Sequence, residues 1–226
     1  RSFMSKLSDN DFSNEQFKFG TSKNIKIDNK EIWIQRLSYV GELGFELYIK
    51  MNESREIYNL IVDKGKKFNI SNCGMFAMDT MRMEKGYLHW GHDMSPEENQ
   101  YEAGLGFAIS TKKNIDFIGK KSIEKIRNDK TKKKMVMFTL KNSNPGSPLL
   151  LHDEPIYCDG KIVGRTTSGN YSFNYKKNMS FGYINLASSL KELVKKTFYI
   201  EVEKIKYEAV LQTKPLHDPE NKIIKG

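Results

Sequence analysis

The stretch Arg36 to Ile49, RLSYVGELGFELYI, decides how the rest of the chain is read. Over its second half Leu43, Phe45, Leu47 and Ile49 alternate with Gly44, Glu46 and Tyr48, the period of a strand with one apolar face. That alternation sends the Glu46 carboxylate away from the hydrophobic layer, with a residue lacking a side chain two places before it. The residues alone leave two readings for such an acid. It is ordinary on a sheet with one solvated face, or it stands at the edge of a ligand pocket.

Working outward, NIKIDNKEIWIQRLSYV (24–40) alternates apolar and polar residues on either side of a polar DNK and predicts a β-hairpin. Downstream, Ile57, Leu60, Ile61 and Phe68 recur at helical spacing with Ser54 where an N-cap belongs, predicting a helix that ends near FNISNCG. GMFAMDTMRMEKGYL (74–88) predicts a second helix, terminated at Gly86, with Phe76 and the methionines as core. A turn-rich loop then leads through GLGFAIS to a short helix in DFIGKKSIEKIRNDK and a solvated lysine-rich linker. Beyond residue 133 the runs MVMFTLK, PIYCDGKIVGRTTSG, SFGYINL and TFYIEVEKIKYEAVLQT predict a second, mainly β domain. Within it, GRTTSGNYS reads as a tight turn; it lacks the G-x-x-x-x-G-K-[ST] pattern of a phosphate loop.

Composition narrows the function classes. The net charge of +9 over 226 residues is mostly lysine scattered along the chain, with few arginines to read bases or phosphates, so no nucleic-acid partner is expected. Such a surface attracts small anionic ligands. No apolar run approaches the roughly 18 to 20 residues of a membrane span, so no membrane partner is expected. Cys73 and Cys158 lie far apart without a C-x-x-C pair, which favours reduced thiols in an intracellular compartment over a single disulfide. The opening RSFMSKLSDNDFS carries no apolar leader and reads as the interior of a longer protein. His89, His92 and Asp93 in HWGHD could contribute to a zinc site, but no further ligand cluster accompanies them and no metal is expected. No G-x-G-x-x-G follows a strand, so no dinucleotide fold is signalled.

Taken in order, SYVGELGFEL, AMDTMRMEKGYLHWGHDMSPEENQYEAGLGF, DFIGKKSI and GRTTSGNYS resemble the folate-binding aminomethyltransferase superfamily typified by the glycine-cleavage T-protein. The resemblance covers essentially the whole chain and is strongest to the C-terminal, folate-binding part of sarcosine and dimethylglycine dehydrogenases. It implies an α+β fold: a folate-binding domain with an antiparallel sheet and helices over residues 1–132, including the linker, then a small C-terminal β-barrel domain over 133–226.

The family motif Y-x-G-E-x-G-x-E is matched by Tyr39, Gly41, Glu42, Gly44 and Glu46. The resemblance makes Glu46 the anchor of the pterin ring of tetrahydrofolate, whose amino group and ring N–H form a planar two-donor edge that a carboxylate accepts. It implies that Tyr39 and Phe107 contact the folate, with Gly44 as the gap through which a flat ring approaches. Tyr39 is equally readable as an aromatic packing at a strand end. Met78 stands where the T-protein has a pocket arginine, which favours the dehydrogenase-like branch. Arg82 matches the family's second arginine there and, beside Asp79 and Glu84, reads as an ion-pair member. The resemblance implies that the family's catalytic aspartate would lie upstream of Arg1, with Asp9 and Asp11 in the wrong place to replace it.

The implied activity is one-carbon transfer: an iminium-derived unit from a methylated amine is captured by tetrahydrofolate as 5,10-methylenetetrahydrofolate. FAD enters only through a flavin domain or subunit outside this chain. The implied compartment is the bacterial cytoplasm, or the mitochondrial matrix in a eukaryote. Two alternatives stand beside this reading: a stand-alone aminomethyltransferase or related folate-dependent demethylase, and a catalytically silent binding or regulatory subunit with the same fold.

Overall fold

Asp28 and Asn29 both adopt left-handed backbone (φ 49° and 63°), the geometry of a two-residue hairpin turn whose twist suits its flanking strands. They join β1 (Ser22–Ile27) to β2 (Lys30–Gln35), and the expected hairpin is present. β3 (Glu46–Tyr48) pairs antiparallel with β2, completing a three-stranded sheet in the order β1-β2-β3. Only these three residues of the expected 43–49 strand pair with β2. Residues 39–43 form bends, and Gly41 among them takes a left-handed φ of 80°, outside the extended region. The computed structural model describes residues 1–128, 133–185 and 188–226. The expected lysine-rich linker falls mainly at 129–132, outside the described residues.

The chain divides into two compact units, Arg1–Lys85 with His217–Gly226, and Gly86–Leu216. In the first unit, Ile25 and Ile27 of β1 and Ile32 and Ile34 of β2 point inward against Met4, Leu7, Phe12, Phe17 and Ile57. Met4 and Leu7 come from a short helix α1 (Met4–Leu7), and Ile57 from α2 (Met51–Gly65). Helix α2 starts a turn earlier than its sequence suggests: Lys50 is the N-cap, and the Ser54 hydroxyl donates to the Met51 carbonyl at 2.8 Å. Helix α3 (Met75–Glu84) ends as expected before Gly86, which has φ 80°. Its expected methionine core is only half realised. Met83 is fully buried, whereas Met75, Phe76 and Met78 lie on the surface of the unit.

In the second unit, α4 (Lys120–Asn128) precedes six strands: β4 (Lys134–Leu140), β5 (Pro155–Cys158), β6 (Lys161–Ser172), β7 (Lys177–Ile184), β8 (Phe198–Val202) and β9 (Ile205–Gln212). They close an antiparallel barrel in the order β4-β7-β6-β5-β8-β9, sealed by the pairing of β9 with β4. The expected C-terminal β-barrel is therefore present. Phe138, Leu140, Ile156, Ile184, Phe198 and Ile200 fill it, with the Phe138 and Phe198 rings 5.1 Å apart. Cys158 packs in the same core, where burial pushes its thiol pKa up.

The expected turn at GRTTSGNYS is corrected by the structure. Residues 161–172 are one continuous strand, β6, with a bulge between Thr166 and Ser168. Its glycines serve close approach rather than a reversal of direction: a Cβ on Gly169 would lie 2.5 Å from the Leu150 backbone carbon, far inside ordinary contact.

Candidate functional site

The loop that delivers Glu46 is held from three sides of the first unit. Arg36 is fully buried and donates to the Phe17 carbonyl at 2.9 Å, to Asn14 Oδ1 at 3.0 Å and, from Nη2, to the Lys225 carbonyl at 2.8 Å. Its guanidinium also lies 5.6 Å from the centroid of Phe45. Burial lowers its pKa, with the charge of Arg1 adding to the effect.

Gly41 is fixed by what passes beside it. A Cβ there would lie 2.8 Å from Cβ of Lys85, whose stem runs across the glycine. The Lys85 ammonium then donates to Asp218 Oδ2 at 3.0 Å and to the Asp218 carbonyl at 2.6 Å, with the two side chains only 2% and 4% exposed. The neighbouring Glu42 Oε1 lies 2.8 Å from His217 Nε2, and the His217 amide donates to the Glu84 carbonyl at 2.9 Å. Residues 217–218, from the far end of the sequence, thus hold the first half of the motif. Arg82 donates to Asp79 Oδ1 at 2.7 Å and is buried, so the expected ion pair is present.

Glu46 opens β3 opposite Gln35, with Leu47 packed against the core and the carboxylate on the outward face. Tyr48, two residues on and on the same face, donates its hydroxyl to Glu46 Oε2 at 2.9 Å. That hydrogen bond, with smaller effects from burial and the Glu46 charge, raises the Tyr48 pKa and keeps the phenol a neutral donor. Oε1 of Glu46 accepts no hydrogen bond among the described residues. Trp33 faces Tyr48 across the strands, the ring centroids 4.7 Å apart at 42°.

The structure therefore brings a carboxylate, a hydroxyl and an indole together on one exposed sheet face. Tyr39 and Gly44 lie half-buried in the loop that precedes them. A Cβ on Gly44 would meet the Leu37 carbonyl oxygen at 3.4 Å, an ordinary contact. Phe107 belongs to the second unit, on a single 3-10 turn (Gly106–Ala108), with its ring exposed. Sequence reasoning placed Tyr48 on the same face as Glu46 without giving it a part. It missed Trp33, although the EIWIQ alternation puts that side chain on the outward face of β2.

In the second unit, Asp93 is 1% exposed and collects the Thr167 hydroxyl at 2.6 Å, the Ser168 hydroxyl at 2.7 Å and the His89 amide at 2.9 Å. His92 Nδ1 lies 2.9 Å from the Thr167 carbonyl. The HWGHD loop is thereby docked on the β6 bulge, whose extra residue brings both hydroxyls to one carboxylate oxygen. Among the described residues no group of three or more His, Cys, Asp or Glu side chains is arranged to hold a metal ion, and no helix is long and apolar enough to cross a membrane.

Comparison with known proteins finds two family domains along the chain. Residues 1–113 match the family described as the GCVT N-terminal domain, and residues 133–218 match the glycine cleavage T-protein C-terminal barrel domain. The chain belongs to the glycine cleavage T-protein family. Among relatives of this T-protein-family chain, human mitochondrial dimethylglycine dehydrogenase is 35% identical over 96% of the chain and 24% of its own length. Human mitochondrial sarcosine dehydrogenase is 32% identical over 100% of the chain and 25% of its own length. An aminomethyltransferase from Symbiobacterium thermophilum is 31% identical over 76% of the chain and 45% of its own length. The chain thus spans about a quarter of the length of the two dehydrogenases. The crystal structure of aminomethyltransferase T from Bartonella henselae shares the fold, with a TM-score of 0.80 at 18% identity over 96% of this chain and 57% of that one.

Proposed function

We propose that the chain is the tetrahydrofolate-binding, one-carbon-transferring module of a sarcosine or dimethylglycine dehydrogenase-like enzyme. In this reading residues 1–132 carry the anchor and residues 133–226 the barrel domain, with His217–Gly226 packing into the first compact unit. The observation that carries the reading is the outward-facing Glu46 carboxylate, one oxygen oriented by Tyr48 and the other without a partner among the described residues. A planar edge with two N–H donors fits that carboxylate, since Oε2 still has acceptor capacity beside the Tyr48 bond. Tyr39 is the further ligand contact of the first unit in this reading, and Gly44 leaves the approach open.

Tetrahydrofolate, when bound, supplies the amine nitrogens that take up the one-carbon unit, giving 5,10-methylenetetrahydrofolate. This chain's own residues bind and orient the ring and limit water, which would otherwise hydrolyse the iminium and release formaldehyde. The methylated amine and the flavin chemistry that produces the iminium belong to other parts of the enzyme. The mitochondrial dehydrogenases among the relatives support a matrix location in a eukaryote; in a bacterium this reading puts the chain in the cytoplasm.

The test is calorimetric titration of the chain with 5-formyltetrahydrofolate, a stable stand-in. Glu46→Ala is expected to raise Kd at least tenfold, because a hydrogen bond to a charged group contributes about 1.5–3 kcal/mol. Glu46→Gln, which keeps one acceptor and adds a donor, is expected to fall between. Equal affinity for all three proteins would show that Glu46 is only a solvated surface acid.

A further inference from the structure

The outward face of the first sheet carries more recognition chemistry than one carboxylate. Ile32, Ile34 and Leu47 point into the core, so Trp33, Gln35, Glu46 and Tyr48 share the opposite face, in the cross-strand pairs Trp33 with Tyr48 and Gln35 with Glu46. Trp33 is 42% exposed and Tyr48 47% exposed, so each aromatic ring keeps a large part of its surface open. Their planes are tilted by 42° at a centroid distance of 4.7 Å, and the contact therefore leaves ring surface uncovered on both partners. The Tyr48 hydroxyl is tethered to Glu46 Oε2. One hydrogen bond therefore fixes the tyrosine ring and the carboxylate together.

We infer that Trp33 and Tyr48 form a stacking wall that positions the flat ring whose N–H edge Glu46 accepts, with Trp33 selecting for a planar heteroaromatic. The inference rests on the folate reading of Glu46 and adds to it the group that recognises the ring's face. Diagonal neighbours on paired strands lie about 7–8 Å apart, within reach of one two-ring heterocycle, so a ring held at Glu46 extends over Trp33. The flat pyrimidine ring of the pterin laid against an indole gains dispersion that a ligand without a flat ring cannot gain. Gln35, opposite Glu46, offers its amide to the same edge. The competing account is a cross-strand aromatic pair that only stabilises the hairpin, which predicts loss of stability on substitution and no effect on binding.

The experiment uses the whole chain with Trp90→Phe, which leaves Trp33 as the sole tryptophan of the two in the sequence. Titration with 5-formyltetrahydrofolate is expected to quench Trp33 emission, whereas p-aminobenzoylglutamate, which lacks the two-ring system, is expected to leave it unchanged. By calorimetry, Trp33→Leu is expected to raise Kd about tenfold and Trp33→Phe to restore most of the affinity, as base-on-aromatic stacking contributes on this scale. If Glu46→Ala weakens binding but Trp33→Leu does not and the emission stays unchanged, the stacking wall is overturned while the folate reading stands. If Glu46→Ala leaves Kd unchanged, the folate reading fails and the inference falls with it. Urea unfolding of Trp33→Leu separates lost binding from lost structure, and a variant that binds at parental affinity only when stabilised would also overturn the inference.

Discussion

Replacing Lys85 by methionine is expected to lower the thermal midpoint of unfolding by roughly 10 °C. Methionine keeps an apolar stem against Gly41, so the measurement isolates the ammonium. That ammonium is the cation facing Asp218, and both side chains are almost fully buried. Removing it leaves a carboxylate with no counter-charge in a site that is almost closed to solvent. Asp218 would keep only its amide donors, Lys222 N at 2.7 Å, Ile224 N at 3.2 Å and Ile223 N. Lys85→Met combined with Asp218→Asn is expected to recover part of the loss, since neither charge is then stranded.

The same pair sets an acid limit. Burial pushes the Asp218 carboxyl up, but the Lys85 ammonium and the amides of Ile224, Ile223 and Lys222 outweigh it and hold the group well below its ordinary value of 3.8. With the lower pKa in the folded state, the unfolded chain binds the extra proton first. The carboxylate's stabilisation is therefore fully present above about pH 4 and drains away as pH falls towards the folded pKa. Midpoints recorded from about pH 6 down to pH 2 should fall more steeply below pH 4 for the wild type than for Asp218→Asn. Parallel curves would show that the pair contributes nothing to acid stability.

Where the sequence was legible, local rules and tertiary packing agreed. The 24–35 hairpin follows from alternation plus two turn-tolerant residues, and Gly86 ends its helix because it alone there adopts φ 80° at no steric cost. The motif's two glycines did not separate by spacing. Gly41 is constrained by Lys85, 44 positions further along the chain, and Gly44 is not, a difference that only the fold creates. The hairpin turn between β8 and β9 was also invisible, because Glu203 and Lys204 take left-handed backbone (φ 51° and 65°) without the usual glycine or asparagine. At the candidate site, alternation gave Glu46 its direction. The part taken by Trp33 depended on strand pairing across a ten-residue loop (36–45), which single-strand periodicity does not report.

Gly164→Ala is expected to destabilise the barrel by about 3 kcal/mol, the upper part of the usual range for overpacking. In most strands the exchange would be favourable, because glycine in a strand interior costs roughly 0.5–1 kcal/mol relative to alanine. Here the new methyl would point into the Tyr183 carbonyl of β7, with the Tyr183 carbon at 2.8 Å and Ile184 Cα at 3.0 Å. These are backbone atoms of a paired strand, so no rotamer change relieves the clash. The strands must separate or slide, and β7 cannot retreat, since it pairs with β4 on its other side and is buried along nearly its whole length. Gly182 reports the same close approach from the opposite strand, where a Cβ would lie 2.6 Å from the Arg165 carbonyl oxygen. Urea unfolding followed by circular dichroism gives the stability change, and a loss under about 1 kcal/mol would show that β6 and β7 part locally at little cost. Displacement of β6 also moves Thr167 and Ser168, the two hydroxyl donors to Asp93. Faster hydrogen exchange at the His89 amide, which the Asp93 carboxylate protects, should therefore accompany the loss of stability.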